Sequence, residues 1–210
     1  MRYLLGCLAL GVGGLCGDQP DERPNILLII ADDLGYSDIG SYGGEIQTPH
    51  LDQLATDGLR FTQFYNCGVC VTTRASLYTG LYPRFPGRAS GANAGLQPGM
   101  PSLGRLLRDA GYQTALTGKW HLGHQAPHRP IDRGFDEFYG LLDGCSSFFD
   151  PTTPDPEFYN GGVIRNFAHN EAEVEAFPAD FYATDAFTNH AIATLQRFAA
   201  NERPFFINLN

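Results

Sequence analysis

Four short clusters hold residue types able to do chemistry. Asp32-Asp33 follow the apolar run Ile26-Leu27-Leu28-Ile29-Ile30. Two adjacent carboxylates at the C-terminal end of a strand suit a hard divalent cation, which prefers oxygen ligands. A turn or helix cap before Leu34-Gly35 is the other reading. Cys70 opens the segment Cys-Val-Thr-Thr-Arg-Ala-Ser-Leu-Tyr-Thr-Gly, which ends at Gly80. A nucleophile-capable residue sits there at a helix start, where unpaired N–H groups favour an anion. Arg74, one helical turn further, can reach back toward it, or stand as a solvated surface residue. Gly118-Lys119-Trp120-His121-Leu122-Gly123 comes after another apolar run. Lys119 and His121 are two apart and can point to one side of an extended segment. Lysine is a compact charge for an anion, and histidine transfers protons near neutral pH. Cys67-Gly68-Val69-Cys70 has Cys-x-x-Cys spacing, but no second cysteine pair or matched histidine pair completes a zinc site. Two small residues in a loop is the plainer reading. His124 and His128 read as surface or rim residues of a Pro-rich loop, and His50 as structural.

The elements that must position these residues alternate in type. The continuous apolar run from Asn25 to Ala31 reads as a strand buried on both faces of a parallel sheet. Thr48-Pro49 opens a helix through Asp57, with Gly58 past its end. Leu59 to Tyr65 reads as a strand, and Thr72 or Thr73 begins a short helix ending at Gly80. Ser102 to Ala110 is a helix with Leu103, Leu106, Leu107 and Ala110 on one face. Tyr112 to Thr117 is a strand, and Gly134 to Thr153 reads as an irregular aromatic loop. Asp180 to Asn201 is a long helix burying Phe187, Ala191, Leu195 and Phe198. Pro204 to Asn210 is a further strand. The pattern predicts an α/β fold with a mostly parallel central sheet flanked by helices.

Composition bounds the function. Of the 210 residues, 25 are Gly and 14 are Pro, scattered without a repeat, so neither collagen nor a linker fits. The net charge is −9, with no basic run, which argues against a nucleic-acid binder. An anionic substrate would need a local cluster of cations. Lys119 is the one lysine among 14 basic residues, and Trp120, beside it, is the one tryptophan. Residues 1–17 read as a signal peptide, with Arg2, an apolar run from Tyr3 to Leu15 and small residues around Gly14 to Gly17. That run is too short for a transmembrane span. The expectation is export, periplasmic or secreted, with Cys16 as a possible lipid-bearing residue. Cys67, Cys70 and Cys145 then remain, an odd number, so a disulfide framework is not the design.

The order of motifs carries a resemblance. Arg23-Pro24-Asn25-Ile26 leads to Asp32-Asp33, then come Thr48-Pro49-His50-Leu51-Asp52, Cys70 to Gly80, Gly111 to Gly123, and Arg133-Gly134-Phe135-Asp136. Over residues 23–210 this resembles the type I sulfatases, the arylsulfatase-like group of the alkaline-phosphatase-like superfamily. The resemblance implies an alkaline-phosphatase-like fold, here the N-terminal part of a catalytic domain that is incomplete at the C-terminus. It implies hydrolysis of sulfate esters, of a small molecule or a carbohydrate, and oxidation of Cys70 to formylglycine by a maturation enzyme. Asp32, Asp33 and the modified Cys70 would ligate Ca²⁺ or another divalent cation. Arg74 would hold the formylglycine hydrate, Lys119 would bind sulfate, and His121 would orient or deprotonate the hydrate. The family pattern Cys-x-Pro-x-Arg has Pro or Ala where this chain has Thr72, whose hydroxyl suits a helix cap. The family's further site residues, a His, an Asp-Asn pair and a Lys, fall downstream of Asn210. Two other readings stay open: a phosphate or phosphonate ester hydrolase of the same superfamily, and an incompetent fragment that at most binds an anion.

Overall fold

The structure is a computed structural model that describes residues 22–82, 95–97 and 99–210. The expected leader, with Cys7 and Cys16, lies outside the described residues. Six strands form one sheet in the order β1-β6-β2-β3-β4-β5. They are β1 (Ile26–Ile29), β2 (Gln113–Thr117), β3 (Glu137–Leu141), β4 (Phe167–His169), β5 (Ala172–Glu173) and β6 (Phe205–Leu209). The pairs β1–β6, β6–β2 and β2–β3 are parallel, whereas β3–β4 and β4–β5 are antiparallel. The sheet is therefore mostly parallel and the class α/β, as the alternating elements predict.

Strand periodicity sorts the core into two layers. Leu116, Phe138 and Phe206 face α2 (Cys70–Thr79) and α3 (Leu103–Asp109), packing with Tyr78, Trp120 and Phe135. Ala115, Phe205 and Ile207 face α5 (Ala183–Ala199), packing with Phe198 and Leu195. The tilted contact of Tyr78 with Trp120, at 5.0 Å between centroids, and the edge contact of Trp120 with Phe135, at 6.1 Å, hold the first layer together.

Several elements differ from the sequence reading. β1 is an edge strand among the described residues: Ile26 and Leu28 pack on the core while Leu27 and Ile29 are half exposed. A run apolar at every position hides such a one-sided burial. Leu59 to Tyr65 forms no strand; no sheet neighbour pairs with it among the described residues, and Leu59, Phe61, Phe64 and Tyr65 are exposed. The segment read as an irregular loop contains β3, whose Glu137 and Gly140 disguise a central strand. In α3 Gly104 is buried and Leu103 and Leu107 are partly buried against the core, while Leu106 and the C-cap Ala110 are exposed; Gly104 lets the Phe135 ring lie against the helix. α1 spans Pro49–Asp57 as read from Pro49 and Gly58, and His50 on it is exposed.

Candidate active site

α2 begins at Cys70 itself, two residues before the expected start, because the preceding chain is tied into its first turn. Val69 is extended, with φ −127° and ψ 145°. The Thr72 hydroxyl donates to the carbonyls of Cys67, at 3.0 Å, and Val69, at 2.9 Å. The Thr73 hydroxyl accepts from the Cys67 N–H at 3.1 Å. Thr72 is thus a clamp on carbonyls and does not cap the helix. At the other end Gly80 takes φ 70°, and its N–H returns to the Ser76 carbonyl at 2.8 Å. Cys70 is left half-buried in the first turn, beside N–H groups with no partner inside the helix.

β2 delivers the second group. Gly118 at its end has φ 103°, and a Cβ there would lie 2.0 Å from the Asn210 carbonyl oxygen, so only glycine lets β2 and β6 close up. The chain then runs on along β3, with Trp120 N–H donating to Leu141 O at 2.8 Å and His121 N–H to Leu142 O at 3.0 Å. This stretch sends Trp120 into the core, fully buried, with its indole N–H on the His128 carbonyl at 2.8 Å. Lys119 and His121 point the other way. Trp120 therefore cannot line a ligand pocket. His128 is a structural residue, its Nδ1 2.9 Å from the Leu96 carbonyl.

These elements bring five of the six expected site residues together as a pair, Cys70 with His121, and a triad, Arg74 with Asp32 and Lys119. Cys70 Sγ is 3.3 Å from His121 Nδ1. Lys119 Nζ donates to Asp32 Oδ2 in a short ion pair. Arg74 is buried to 1% exposure, donates from Nη1 to the Lys119 carbonyl at 2.5 Å, and has Nη2 3.8 Å from Asp32 Oδ1. Its Nε and Nη2 have no hydrogen-bond partner, so a buried guanidinium keeps two donors for an anion. Asp33 is exposed, with φ 54°, at the C-terminal end of β1 beside Asp32. Cys67 is exposed, and neither it nor Cys70 is in a disulfide.

Sequence reasoning missed the support behind this network. Asn208 and Asn210 are the polar residues of an otherwise apolar strand, which is the signal that could have found them. The Asn210 amide donates to the Lys119 carbonyl at 2.9 Å and to the Tyr78 hydroxyl at 3.1 Å. Tyr78 in turn donates to Asn208 Oδ1, and Asn208 Nδ2 donates to Leu28 O at 3.1 Å. Burial pushes the Tyr78 phenol up to about 12, against the hydrogen bond from Asn210, so it stays a neutral donor. On the far side, Gly144 lies flat on the His121 ring, where a Cβ would come within 2.4 Å of Nε2. Asp143 beside it holds His124, 3.3 Å away, and the Asn166 amide.

The motif order and this geometry meet in the comparisons. The family model described as Sulfatase matches residues 24–209. The chain belongs to the sulfatase family. It is 32% identical to an arylsulfatase of Klebsiella aerogenes over 98% of its own length and 46% of that protein's. It is likewise 32% identical to the N-acetylgalactosamine-6-sulfatase of Canis lupus familiaris, over 98% of this chain and 42% of that one. Among solved structures, Ps i-CgsB in complex with k-i-k-neocarrahexaose superposes with a TM-score of 0.78 at 34% identity, covering 90% of this chain and 44% of that one. This sulfatase-family chain thus spans less than half the length of the relatives it matches. Among its described residues no helix is long and apolar enough to cross a membrane.

Proposed function

We propose that the protein hydrolyses sulfate esters at Cys70. The observation that carries this reading is the convergence of Cys70, His121, Lys119, Arg74 and Asp32 at the C-terminal ends of β1 and β2 and the start of α2. Family membership makes the reaction class sulfuric ester hydrolysis. The likeness to an N-acetylgalactosamine-6-sulfatase and to a structure in complex with a neocarrahexaose supports a sulfated carbohydrate as substrate, and that to an arylsulfatase supports a small aryl sulfate. Residues 1–17 support export, and with it an encounter with extracellular or periplasmic polysaccharide.

Formylglycine derived from Cys70 fits this site: its position half-buried beside unpaired N–H groups and a guanidinium with two unused donors suits a species richer in oxygen than a thiol. As the hydrated aldehyde it supplies the oxygen nucleophile that attacks sulfur. A divalent cation fits as well. Asp32 and Asp33 are hard oxygen donors, and Asp32 now accepts from Lys119, which a cation on that carboxylate would release toward sulfate. Water and substrate would supply further oxygen ligands.

The chain's own side chains divide the remaining work. His121 Nδ1, at 3.3 Å from the Cys70 side chain, takes a proton there. Arg74, fixed by the Lys119 carbonyl, offsets negative charge at the nucleophile, and Lys119 meets the sulfate oxygens. Cations fixed where charge develops stabilise the transition state most. Burial of Arg74 keeps its donors desolvated and aimed.

The test is expression of the full-length protein with a formylglycine-generating maturation enzyme, mass spectrometry of the Cys70 peptide, and turnover of p-nitrophenyl sulfate against p-nitrophenyl phosphate. The expected result is an oxidised Cys70 and preference for the sulfate. Active protein with an intact thiol overturns the nucleophile, and preference for phosphate overturns the reaction class.

A further inference from the structure

A second cluster of ligand-type side chains lies on the α5 face of the sheet, away from the strand ends that hold Cys70. We propose that Glu137, His169 and His190 bind one divalent cation of the zinc class. One ligand atom of each residue lies within 4.8 Å of the others. His190 Nε2 is 3.1 Å from Glu137 Oε1. Two ligands each about 2.1 Å from one ion stand about 3–4 Å apart, so this pair is already set. His169, exposed on the edge of β4, needs only a small rotation to join them. Two imidazoles and one carboxylate suit zinc, cobalt or nickel, whereas calcium and magnesium favour oxygen alone.

The surroundings orient the ligands. Thr117 Oγ1 lies 2.8 Å from His190 Nδ1, an outer hydrogen bond that fixes the ring's orientation. In the tautomer whose Nδ1–H donates to Thr117, Nε2 presents its lone pair to the ion. Tyr139 stacks on His190 at 5.0 Å and meets His169 edge-on at 5.7 Å, which walls the site. Two groups compete for Glu137: Arg197 donates to Oε2, and the Thr194 hydroxyl to Oε1 at 3.1 Å. The ion therefore takes Oε1, where it displaces a neutral donor, and Arg197 keeps Oε2. Exposure of His169 provides the way in and a place for water as a further ligand. The ion joins β3, its antiparallel neighbour β4 and α5, and so pins the antiparallel end of the sheet to the helix. This is independent of the reaction at Cys70, whose groups lie at the strand ends.

The purified protein, stripped with chelator and held in excess calcium to fill hard-oxygen sites, is titrated with cobalt alone and followed by its d–d absorption. His169→Ala changes an exposed side chain and leaves the fold. The expected result is one cobalt bound by the unaltered protein and an affinity at least tenfold weaker in His169→Ala. Zinc is expected to raise the Tm of the unaltered protein and leave that of His169→Ala unchanged. Identical cobalt titrations, absence of cobalt uptake by the unaltered protein, or an equal zinc-induced rise in Tm in both proteins overturns the proposal.

Discussion

His121 reaches Cys70 from a left-handed backbone, φ 61°, which costs a residue other than glycine on the order of 1 kcal/mol. The ring's position is held on its other side by the bare Cα of Gly144. Gly144→Ala should therefore displace the imidazole without unfolding the chain. Steady-state turnover of a sulfate ester should show kcat reduced about tenfold or more with circular dichroism unchanged, since small misplacements of a reacting group are costly. Lys119→Ala removes a cation from the place where sulfate is bound, and leaves Asp32 facing Arg74 alone. A loss of about 10²–10³ in kcat/KM is expected in the same assay; unaltered turnover would remove Lys119 from the site.

At the scale of elements, the loop from His124 to Gly134 is the brace under the Lys119–His121 segment. It accepts the Trp120 indole and buries Arg133, whose Nη2 donates to the Leu96 carbonyl. The loop is closed by Arg129 and Asp132, with Nε–Oδ2 at 3.0 Å and Nη2–Oδ1 at 3.1 Å. The bond from Arg129 holds the Asp132 carboxyl below its ordinary range, against partial burial. A carboxylate depressed in the folded state contributes stability above its unfolded pKa, and loses it as pH falls through the folded value. Asp132→Asn should thus cost about 0.5–1 kcal/mol at pH 7, read by urea unfolding, and the difference should vanish at acid pH. Much of this layer was legible in the sequence. Pro49 and Gly58 marked α1, the Ser102 hydroxyl accepts from Arg105 N–H at 3.3 Å as a cap should, and Phe198 and Ala191 set the face of α5. What the sequence concealed has a common cause. Glu137 and Asn208 are polar residues inside sheet strands and Asn210 follows the end of β6, and their satisfaction by α5, Tyr78 and the Lys119 carbonyl comes from elements remote in sequence. Local pattern has no access to such partners, and Leu59 to Tyr65, apolar but unpaired, fails for the opposite reason.

For the molecule as a whole, the candidate site collects Arg74, Lys119 and His121 within a chain of net charge −9. The local field, not the global one, must receive an anionic ester. Apolar surface is as unevenly placed. Leu27 and Ile29 on β1 are 50% and 55% exposed, and Leu59, Phe64 and Tyr65 are exposed to 79%, 79% and 82%. Patches of this kind bind hydrophobic probes or other protein surfaces. The 210-residue chain purified alone should therefore enhance the fluorescence of anilinonaphthalene sulfonate. Leu27→Thr with Ile29→Thr should lower that signal while leaving thermal unfolding cooperative, because neither side chain belongs to the core.

The place of β6 between β1 and β2 sets a clock on the newly made chain. The two strands that carry Asp32 and Lys119 have no strand to join them until residues 205–209 exist. At about 5–20 residues per second, translation from Cys70 to Phe205 takes on the order of ten seconds. Through that interval the sheet cannot close over α2, and pairing between strands so distant in sequence is slow in any case. On the proposed chemistry, that interval before β6 takes its place is when a maturation enzyme would reach Cys70 outside the closed sheet.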